Sequence, residues 1–263
     1  MEINAATRVC GLFGYPVGHS LSPAMHNAAL RVLGINWVYL AFAVPPTHLP
    51  AAVGAVRALD MPGANVTVPH KEAALRLVDE VSEAARLAGA VNTIINREGT
   101  LFGDNTDGRG FLRSLAEVGF DPRGKTAVII GAGGAARAVG AALAGAGAGR
   151  LALTNRTPER AQALAELLAS LGPEVRLFPW AELERPSSEV ARLFAAASLV
   201  VQTTSLGMHP APEITVPVAP ELLHPGQLVY DLVYNPPRTR FLALAQAAGA
   251  RVLNGVGMLL HQG

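Results

Sequence analysis

A glycine-rich segment in the middle of the chain has the spacing of a nucleotide-binding turn. Gly131, Gly133 and Ala136 fit the pattern G-x-G-x-x-A, after an apolar run at 126–130 and before an alanine-rich run. In such a turn the first glycine permits a tight bend, and the second lets a pyrophosphate approach the backbone beside a helix N-terminus. The segment predicts a dinucleotide site, with a purely structural turn as the alternative. Its binding residues would be Gly131, Ala132, Gly133, Gly134 and Ala135.

The residues after the next predicted strand indicate which dinucleotide is bound. An NAD site usually carries Asp or Glu about 20 residues beyond the glycine turn, where it holds the ribose 2′-hydroxyl. This chain instead has Asn155, Arg156 and Thr157 there, with Arg160 four residues after Arg156. Two neighbouring cations suit a 2′-phosphate, so the segment predicts NADP. An exposed arginine pair at a helix start, without a ligand, is the alternative.

Two serines stand at the start of a predicted helix near the beginning of the chain. Ser20 and Ser22 flank Leu21, and Pro23 suits the first position of a helix. We expect Ser22 to cap this helix. Hydroxyl groups beside a helix N-terminus also suit a carboxylate ligand, so the pair predicts a carboxylate site in addition to the cap.

A polar segment follows the predicted strand at 63–67. Asn65 and Thr67 alternate onto one face of this strand, Pro69 ends it, and Lys71 comes next. Ligands of open α/β sheets bind at the carboxyl ends of strands, so the segment predicts part of a ligand site. A solvated lysine is the alternative, although cations are disfavoured at helix N-termini.

Two further polar residues are weaker candidates on their own. Asn92 begins a predicted strand, and Asp107 falls in the first turn of a helix that Asn105 or Thr106 could cap. A polar residue at a strand edge and an acid in a first helical turn are both common structural features. Taken alone, each residue favours a structural interpretation.

The elements that must position these residues follow an alternating pattern. Apolar runs predict strands at 8–13, 37–43, 63–67, 92–96, 100–103, 126–130, 151–154, 175–178, 199–202, 228–231 and 251–253. Helices are predicted at 22–33, 49–59, 71–78, 82–88, 106–119, 158–171, 187–197, 239–248 and from 257, with another directly after the glycine turn. The pattern predicts two α/β units with parallel sheets, the second beginning after 121–124, and residues 97–99 form a predicted hairpin turn.

The composition excludes several classes of protein. Half of the 263 residues are hydrophobic and the formal net charge is +1, so disorder and binding to nucleic acid are not expected. No apolar run reaches the length of a membrane span, and the first residues show no export signal. The single cysteine, Cys10, leaves no intramolecular disulfide and no cysteine-based metal site, so we expect no metal and a cytoplasmic protein.

Taken together, the motifs resemble those of the shikimate dehydrogenase family and occur in the family's order. The matching segments span nearly the whole chain and are Ser20-Leu21-Ser22-Pro23, Asn65-Val66-Thr67-Val68-Pro69-His70-Lys71, Gly89-Ala90-Val91-Asn92-Thr93, Gly103-Asp104-Asn105-Thr106-Asp107-Gly108, Gly131-Ala132-Gly133-Gly134-Ala135-Ala136, Asn155-Arg156-Thr157, Asp231-Leu232-Val233-Tyr234-Asn235-Pro236 and Gly255-Val256-Gly257-Met258-Leu259.

The resemblance implies a fold and an activity. The fold would have a substrate domain with its own mostly parallel sheet at 1–104, completed by C-terminal helices at 238–263, and a Rossmann NADP domain at 105–237. The activity would be the reversible, NADP-dependent reduction of 3-dehydroshikimate to shikimate, on the pathway to chorismate and the aromatic amino acids. The small-molecule substrate would be the main partner of a monomer or homodimer.

The resemblance also assigns roles to individual residues. Ser20, Ser22 and Tyr234 would hold the substrate carboxylate, and Thr67, Lys71, Asn92, Asp107 and Gln262 would hold the ring oxygens. Lys71 would be the general acid/base with Asp107 as its partner. Glu83, the backbone around Leu232, and Gly255 would lie near the dinucleotide, together with the glycine turn and Asn155, Arg156, Thr157 and Arg160.

Two other functions compete with this interpretation. A quinate/shikimate dehydrogenase that uses NAD is disfavoured because no acid follows the second predicted strand of the Rossmann unit. A non-catalytic NADP-binding sensor is disfavoured because such a protein needs no amine–carboxylate pair. Turnover in an absorbance assay separates an enzyme from a sensor.

Overall fold

The structure, a computed structural model, describes residues 3–263 and divides into two compact units. The first unit runs to Asp107 and includes Gly263, and the second comprises Gly108–Gln262. Each unit contains one six-stranded sheet with helices. The predicted fold class, two α/β units with mostly parallel sheets, is confirmed.

The first unit carries six strands and four α-helices. They are β1 (Arg8–Gly14), α1 (Ser22–Val32), β2 (Trp37–Ala43), α2 (Leu49–Ala58), β3 (Gly63–Val66), α3 (Lys71–Ala74), β4 (Glu80–Val81), α4 (Glu83–Ala88), β5 (Thr93–Arg97) and β6 (Thr100–Asp104). A 3₁₀ turn at Pro46–His48 precedes α2. Strand β4 was not predicted, and α3 is shorter than the helix expected at 71–78.

The first sheet has the strand order β2-β1-β3-β5-β6-β4. Only β5 runs against its neighbours, because the predicted hairpin joins it to β6 through a turn in which Glu98 and Gly99 both have positive φ. Adjacent residues of β1 pack into different apolar clusters, Leu12 with Leu30 and Tyr39, and Phe13 with the larger cluster around Val56. The sheet is therefore covered by apolar side chains on both faces.

Strand β2 is one of the two edge strands of the first sheet, and a side chain of α1 covers its middle. The Asn27 carboxamide donates from Nδ2 to the carbonyl oxygen of Tyr39 at 2.8 Å and accepts from its backbone N–H through Oδ1 at 2.9 Å. Nδ2 also donates to the carbonyl oxygen of Pro23 at 2.8 Å. Asn27 therefore takes the place that a neighbouring strand would have at Tyr39.

The second unit carries six strands and, among the described residues, the other six α-helices, of which α5 begins at Asp107, the last residue before the boundary. Its elements are α5 (Asp107–Glu117), β7 (Thr126–Ile130), α6 (Gly134–Gly145), β8 (Arg150–Thr154), α7 (Pro158–Ala169), β9 (Glu174–Leu177), α8 (Ser188–Ala196), β10 (Ala197–Gln202), β11 (Leu228–Asp231), α9 (Arg240–Ala247), β12 (Arg251–Leu253) and α10 (Val256–Gln262). Short 3₁₀ turns lie at Trp180–Leu183 and Pro220–Leu222.

The second sheet is fully parallel, with the order β12-β11-β10-β7-β8-β9. Neighbouring residues of β7 point into two different cores, Ile129 toward α6 and α7 and Ile130 toward α8 and α9. This arrangement is a doubly wound sheet, in which ligands bind at the carboxyl ends of the strands near the β7–β10 switch.

The division between the units differs from the expected boundary at the C-terminal end. Residues 238–262 belong to the second unit rather than completing the first, because β12 pairs with β11 and α9 packs against both strands. The other boundary lies close to the expected one, at the first turn of α5. None of the helices within residues 3–263 combines the length and apolarity needed to cross a bilayer.

Candidate active site

An ion pair between Lys71 and Asp107 lies at the centre of the polar cluster in the first unit. Lys71 is the first residue of α3 and Asp107 the first of α5, and Nζ donates to Oδ2 at 2.5 Å. The Asp107 side chain is fully buried, whereas that of Lys71 is 18% exposed. The arrangement fixes the ammonium group on a buried carboxylate and leaves part of it open to a ligand.

Asn92 sets the orientation of the Asp107 carboxylate. Its Nδ2 donates to the second carboxylate oxygen, Oδ1, at 2.8 Å and to Thr106 Oγ1 at 3.0 Å. Its Oδ1 accepts from the backbone N–H of Thr106 at 3.0 Å and from Thr93 Oγ1 at 2.9 Å. Because Asn92 is buried and its amide has partners on both sides, both oxygens of Asp107 are held in place.

Tyr39, which the sequence analysis did not assign to the site, extends this network through Asn65. Tyr39 donates from its hydroxyl to Asn65 Oδ1 at 2.8 Å, and Asn65 Nδ2 donates to Thr93 Oγ1 at 3.1 Å. Burial raises the pKa of the Tyr39 hydroxyl, with a smaller contribution from Cys10, so it remains a neutral donor. The sequence could have indicated Tyr39, because it is the one tyrosine in an otherwise apolar predicted strand and a buried phenol hydroxyl needs a hydrogen-bond partner.

The two serines lie at the start of α1, but Ser22 does not cap the helix. Ser22 is the first helical residue, Leu21 occupies the N-cap position, and no side chain caps the helix. Instead, Ser20 Oγ accepts from the backbone N–H of Ser22 at 3.2 Å. The capping prediction was wrong because the chain already has helical φ and ψ at Leu21, one residue before Ser22.

The other predicted substrate residues are divided between the units. Thr67 follows β3 in the first unit, is half-buried, and donates its backbone N–H to Phe13 at 2.9 Å. Tyr234 follows β11 and Gln262 ends α10, so both belong to the second unit, where each is half-buried. Their roles remain predictions.

The predicted glycine turn joins β7 to α6 in the second unit. Gly131 has φ of +118° and lies so close to Thr203 that a Cβ would collide with its hydroxyl, so only glycine fits. A Cβ at Gly133 would meet no protein atom within 4 Å, so space is open beside the N-terminus of α6. Ala136 is fully buried against the sheet.

These residues fit a dinucleotide pyrophosphate. The open space beside Gly133 lies where the first N–H groups of α6, which have no partner within the helix, and the positive end of its dipole favour an anion. Thr203 was not predicted from the sequence, because it is 72 residues from Gly131 in the chain and only the parallel pairing of β10 with β7 brings it there.

The predicted 2′-phosphate residues lie between β8 and α7. Arg156 and Arg160 are both exposed, and neither forms an ion pair within the described part of the chain. Asn155 shapes the turn by donating to the carbonyl oxygen of Thr157 at 3.0 Å. Arg156 also borders a cavity of about 700 Å³ with Trp180 on its wall. Two free cations at a strand end suit a phosphate.

The remaining predicted cofactor residues occupy two places. Leu232 and Gly255 are in contact in the second unit, where a Cβ on Gly255 would collide with the Leu232 carbonyl oxygen and the Gly255 N–H donates to Val233 at 3.1 Å. Glu83 is exposed at the start of α4 in the first unit. Across residues 3–263, no cluster of three or more His, Cys, Asp or Glu side chains could hold a metal ion.

An amine–carboxylate pair in one α/β unit and a nucleotide-binding turn in the other define a class of dinucleotide-dependent proteins, and comparisons specify the family. Residues 12–94 match the family described as shikimate dehydrogenase substrate binding domain, and residues 114–200 match the family described as shikimate / quinate 5-dehydrogenase. The shikimate dehydrogenase (NADP(+)) of Moorella thermoacetica is 56% identical over 266 residues, with coverage of 100% of this chain and 88% of that protein.

Solved structures agree with these matches. A shikimate 5-dehydrogenase from Thermus thermophilus, in complex with NADP(H) and shikimate, has a TM-score of 0.83 and 41% identity, with coverage of 97% of this chain and 90% of that one. A shikimate 5-dehydrogenase from Listeria monocytogenes, in complex with shikimate and NAD, has a TM-score of 0.89 and 37% identity, with coverage of 100% and 91%. This chain belongs to the shikimate dehydrogenase family, a family of oxidoreductases.

Proposed function

We propose that this chain catalyses the reversible, NADP-dependent reduction of 3-dehydroshikimate to shikimate. The Lys71–Asp107 ion pair carries the proposal, because a ketone reduction needs a proton donor and this pair holds an ammonium in a partly buried polar cluster. Support also comes from relatives named shikimate dehydrogenase (NADP(+)) that match along the full length of the chain.

The chemistry divides between the two units. Bound NADPH supplies a hydride to the ketone carbon of the substrate. Lys71 Nζ stabilises the negative charge that develops on the ketone oxygen and donates a proton to it, and in the reverse direction it accepts that proton. Asp107 Oδ2 keeps the amine oriented, and Asn92 keeps the carboxylate oriented.

The rest of the predicted set recognises the substrate and the cofactor. Ser20, Ser22 and Tyr234 bind the substrate carboxylate, and Thr67, Asn92, Asp107 and Gln262 bind ring oxygens along with Lys71. A polyhydroxy acid requires hydroxyl, amide and carboxylate partners of these kinds. The glycine turn binds the pyrophosphate of NADP. The 2′-phosphate is bound by Asn155, Arg156, Thr157 and Arg160. Glu83, the backbone around Leu232, and Gly255 lie near the dinucleotide.

Each of the two alternative functions is supported by one observation. The Listeria monocytogenes structure was solved with shikimate and NAD, which supports testing a quinate/shikimate dehydrogenase that uses NAD. The well-formed nucleotide turn of the second unit would also serve a non-catalytic NADP sensor. The free Arg156 and Arg160 favour NADP over NAD, and the Lys71–Asp107 pair favours catalysis over sensing.

The purified protein tests these functions in one absorbance assay at the NADPH band. Shikimate and quinate are each offered with NADP⁺ and with NAD⁺. We expect turnover with shikimate and NADP⁺ to exceed that with every other pair by at least tenfold. Faster turnover with NAD⁺ or quinate would favour the first alternative, and NADP⁺ binding without turnover of either acid would favour the sensor.

The proposal also covers the cellular location and the oligomeric state of the enzyme. We expect the enzyme to act in the cytoplasm as a monomer or a homodimer, with no nucleic acid or membrane partner. Cell fractionation and light scattering of the purified protein measure these two properties.

A further inference from the structure

A buried aspartate with no assigned role lies at the carboxyl end of the second sheet. Asp231 is the last residue of β11 and its side chain is fully buried. Its Oδ1 accepts from the backbone N–H of Val233 at 3.0 Å and from Gln202 Nε2 at 3.1 Å, and its Oδ2 accepts from Thr239 Oγ1 at 2.6 Å. Within residues 3–263 it forms no ion pair, so neutral donors alone satisfy it.

The three partners tie together the segments that leave two neighbouring strands. Gln202 ends β10, accepts the N–H of Leu232 at its backbone oxygen at 2.9 Å, and donates from Nε2 to the carbonyl oxygen of Leu206 at 3.0 Å. Thr239 caps α9 by accepting from the N–H of Leu242 at 3.2 Å. Asp231 therefore joins the end of β10, the end of β11 and the start of α9.

The segment between Asp231 and Thr239 carries Leu232 and Tyr234. Gly255 closes on this segment from the other side, because its N–H donates to the Val233 carbonyl oxygen and it allows no side chain beside Leu232. A buried carboxylate without a cation is costly unless its hydrogen bonds are complete, and a complete network specifies a single geometry. Burial also raises the pKa of Asp231 to about 6, a sign of that cost.

We propose that Asp231 is a positioning residue that fixes the segment 232–238 through Gln202 and Thr239, so that the Leu232 backbone is held near the dinucleotide and Tyr234 at the substrate carboxylate. The proposal rests on the proposed function. It extends that function because Asp231 touches neither substrate nor cofactor and acts through the backbone that carries the two contact residues.

Three variants test this role by steady-state kinetics. Asp231→Ala removes the acceptors and Thr239→Val removes one donor, whereas Asp231→Asn keeps one oxygen for the Val233 N–H and the Gln202 amide. We expect Asp231→Ala and Thr239→Val to lower kcat and to raise the KM for shikimate. Together these changes should lower kcat/KM about 10- to 100-fold, because a small misplacement of binding groups has an effect of this size. The KM for NADP⁺ should stay within threefold, and Asp231→Asn should recover most of the loss.

Gln227 provides the matched control at the other end of the same strand. It is buried just before β11, and its Nε2 donates to the carbonyl oxygens of Phe194 at 2.9 Å and Leu222 at 3.1 Å. Gln227→Ala also breaks a buried polar network of the second unit, far along β11 from residues 232–238. It should destabilise the protein while leaving both KM values and kcat within threefold.

Trypsin gives a readout that does not depend on turnover. Arg238 and Arg240 are exposed and flank Thr239, so a loosened segment should be cleaved there at least tenfold faster in Asp231→Ala and Thr239→Val than in wild type or Gln227→Ala. Kinetic constants and cleavage within threefold of wild type in the folded variants would overturn the proposal. If Asp231→Ala does not fold, Thr239→Val and Asp231→Asn decide by the same criteria. An inactive wild type would refute the proposed function, and the cleavage rates would still decide the positioning role.

Discussion

The clearest prediction for a single residue concerns the amine of Lys71. We expect Lys71→Ala to lower kcat about 10²- to 10⁴-fold, the usual contribution of a positioned acid/base. NADPH binding should persist, because the glycine turn and Arg156 belong to the other unit. Lys71→Arg should not restore activity, because a guanidinium keeps its proton and has a different shape.

The only other lysine provides the control for this prediction. Lys125 precedes β7, and its amine lies over the ring of Phe120, 4.2 Å from the centroid. Lys125→Ala should leave turnover within a few-fold of wild type. Steady-state turnover and NADPH fluorescence titration measure all three variants, and near-normal kcat in Lys71→Ala would contradict the acid/base role.

A second prediction for a single residue concerns cofactor choice and compares two arginines at the two ends of β8. Arg156 follows the carboxyl end and has no ionic partner in the described chain, whereas Arg150 at the amino end pairs with Glu174 at 2.8 Å. Arg156→Ala should raise the KM for NADP⁺ about 10- to 150-fold, since a hydrogen bond to a charged group contributes about 1.5–3 kcal/mol. The KM for NAD⁺ should not change.

Arg150→Ala is the matched variant on the same strand. It should lose an exposed ion pair of little energetic value and keep both cofactor constants. The same KM for NADP⁺ in the two alanine variants would contradict the role of Arg156 in binding the 2′-phosphate.

At the scale of elements, the start of α1 offers a test that separates binding from capping. The Ser20→Ala, Ser22→Ala double variant should raise the KM for shikimate at least tenfold. It should cost less stability than the loss of an N-cap, because it removes only the 3.2 Å hydrogen bond from the Ser22 N–H to Ser20 Oγ. Ser187 is the opposite case, since its hydroxyl caps α8 by accepting from Val190. Ser187→Ala should cost about 1 kcal/mol in the free energy of unfolding and leave the KM unchanged.

Chemical denaturation and steady-state kinetics measure the two effects side by side. An unchanged KM for shikimate in the folded double variant would remove these serines from the carboxylate site.

How well the sequence predicts an element depends on how local its cause is. The hairpin at 97–99 was predicted, because turn residues act within a few positions. Helices were predicted to begin at Ser187 and Thr239, and the structure makes these two residues the caps just before α8 and α9. Strand β4 was not predicted, because its two residues form a strand only by pairing with Phe102 and Gly103 of β6. The Lys71–Asp107 contact spans 36 residues, so only the family resemblance indicated it.

For the whole molecule, the buried Asp231 predicts how stability depends on pH. Burial raises its pKa from 3.8 to about 6, against the hydrogen bonds that lower it, so protonation favours the folded state. The stabilisation that protonated Asp231 gives the folded state is complete below pH 3.8 and is lost as the pH rises through 6. Relative to Asp231→Asn, the wild type should therefore lose about 2 kcal/mol of unfolding free energy between pH 4 and pH 7.

Urea denaturation across this range measures the difference between the two proteins. Asp121 gives a control of the opposite sign, because the hydrogen bond from Arg123 lowers its pKa. Relative to Asp121→Asn, the wild type should lose a little stability as the pH falls. Parallel pH profiles for wild type and Asp231→Asn would contradict the prediction.

The carboxamide of Asn27 has a consequence for how copies of this protein behave at high concentration. Strand β2 is seven residues long, carries no charge and lies at a sheet edge, which is the template on which chains stack into insoluble aggregates. By occupying both backbone groups of Tyr39, Asn27 removes the middle of that template. Asn27→Leu should precipitate at a lower temperature in a light-scattering ramp, whereas Gln246→Leu, which places the same apolar side chain at a more exposed helix position, should not. One side chain would thus keep the protein in solution without touching substrate or nucleotide.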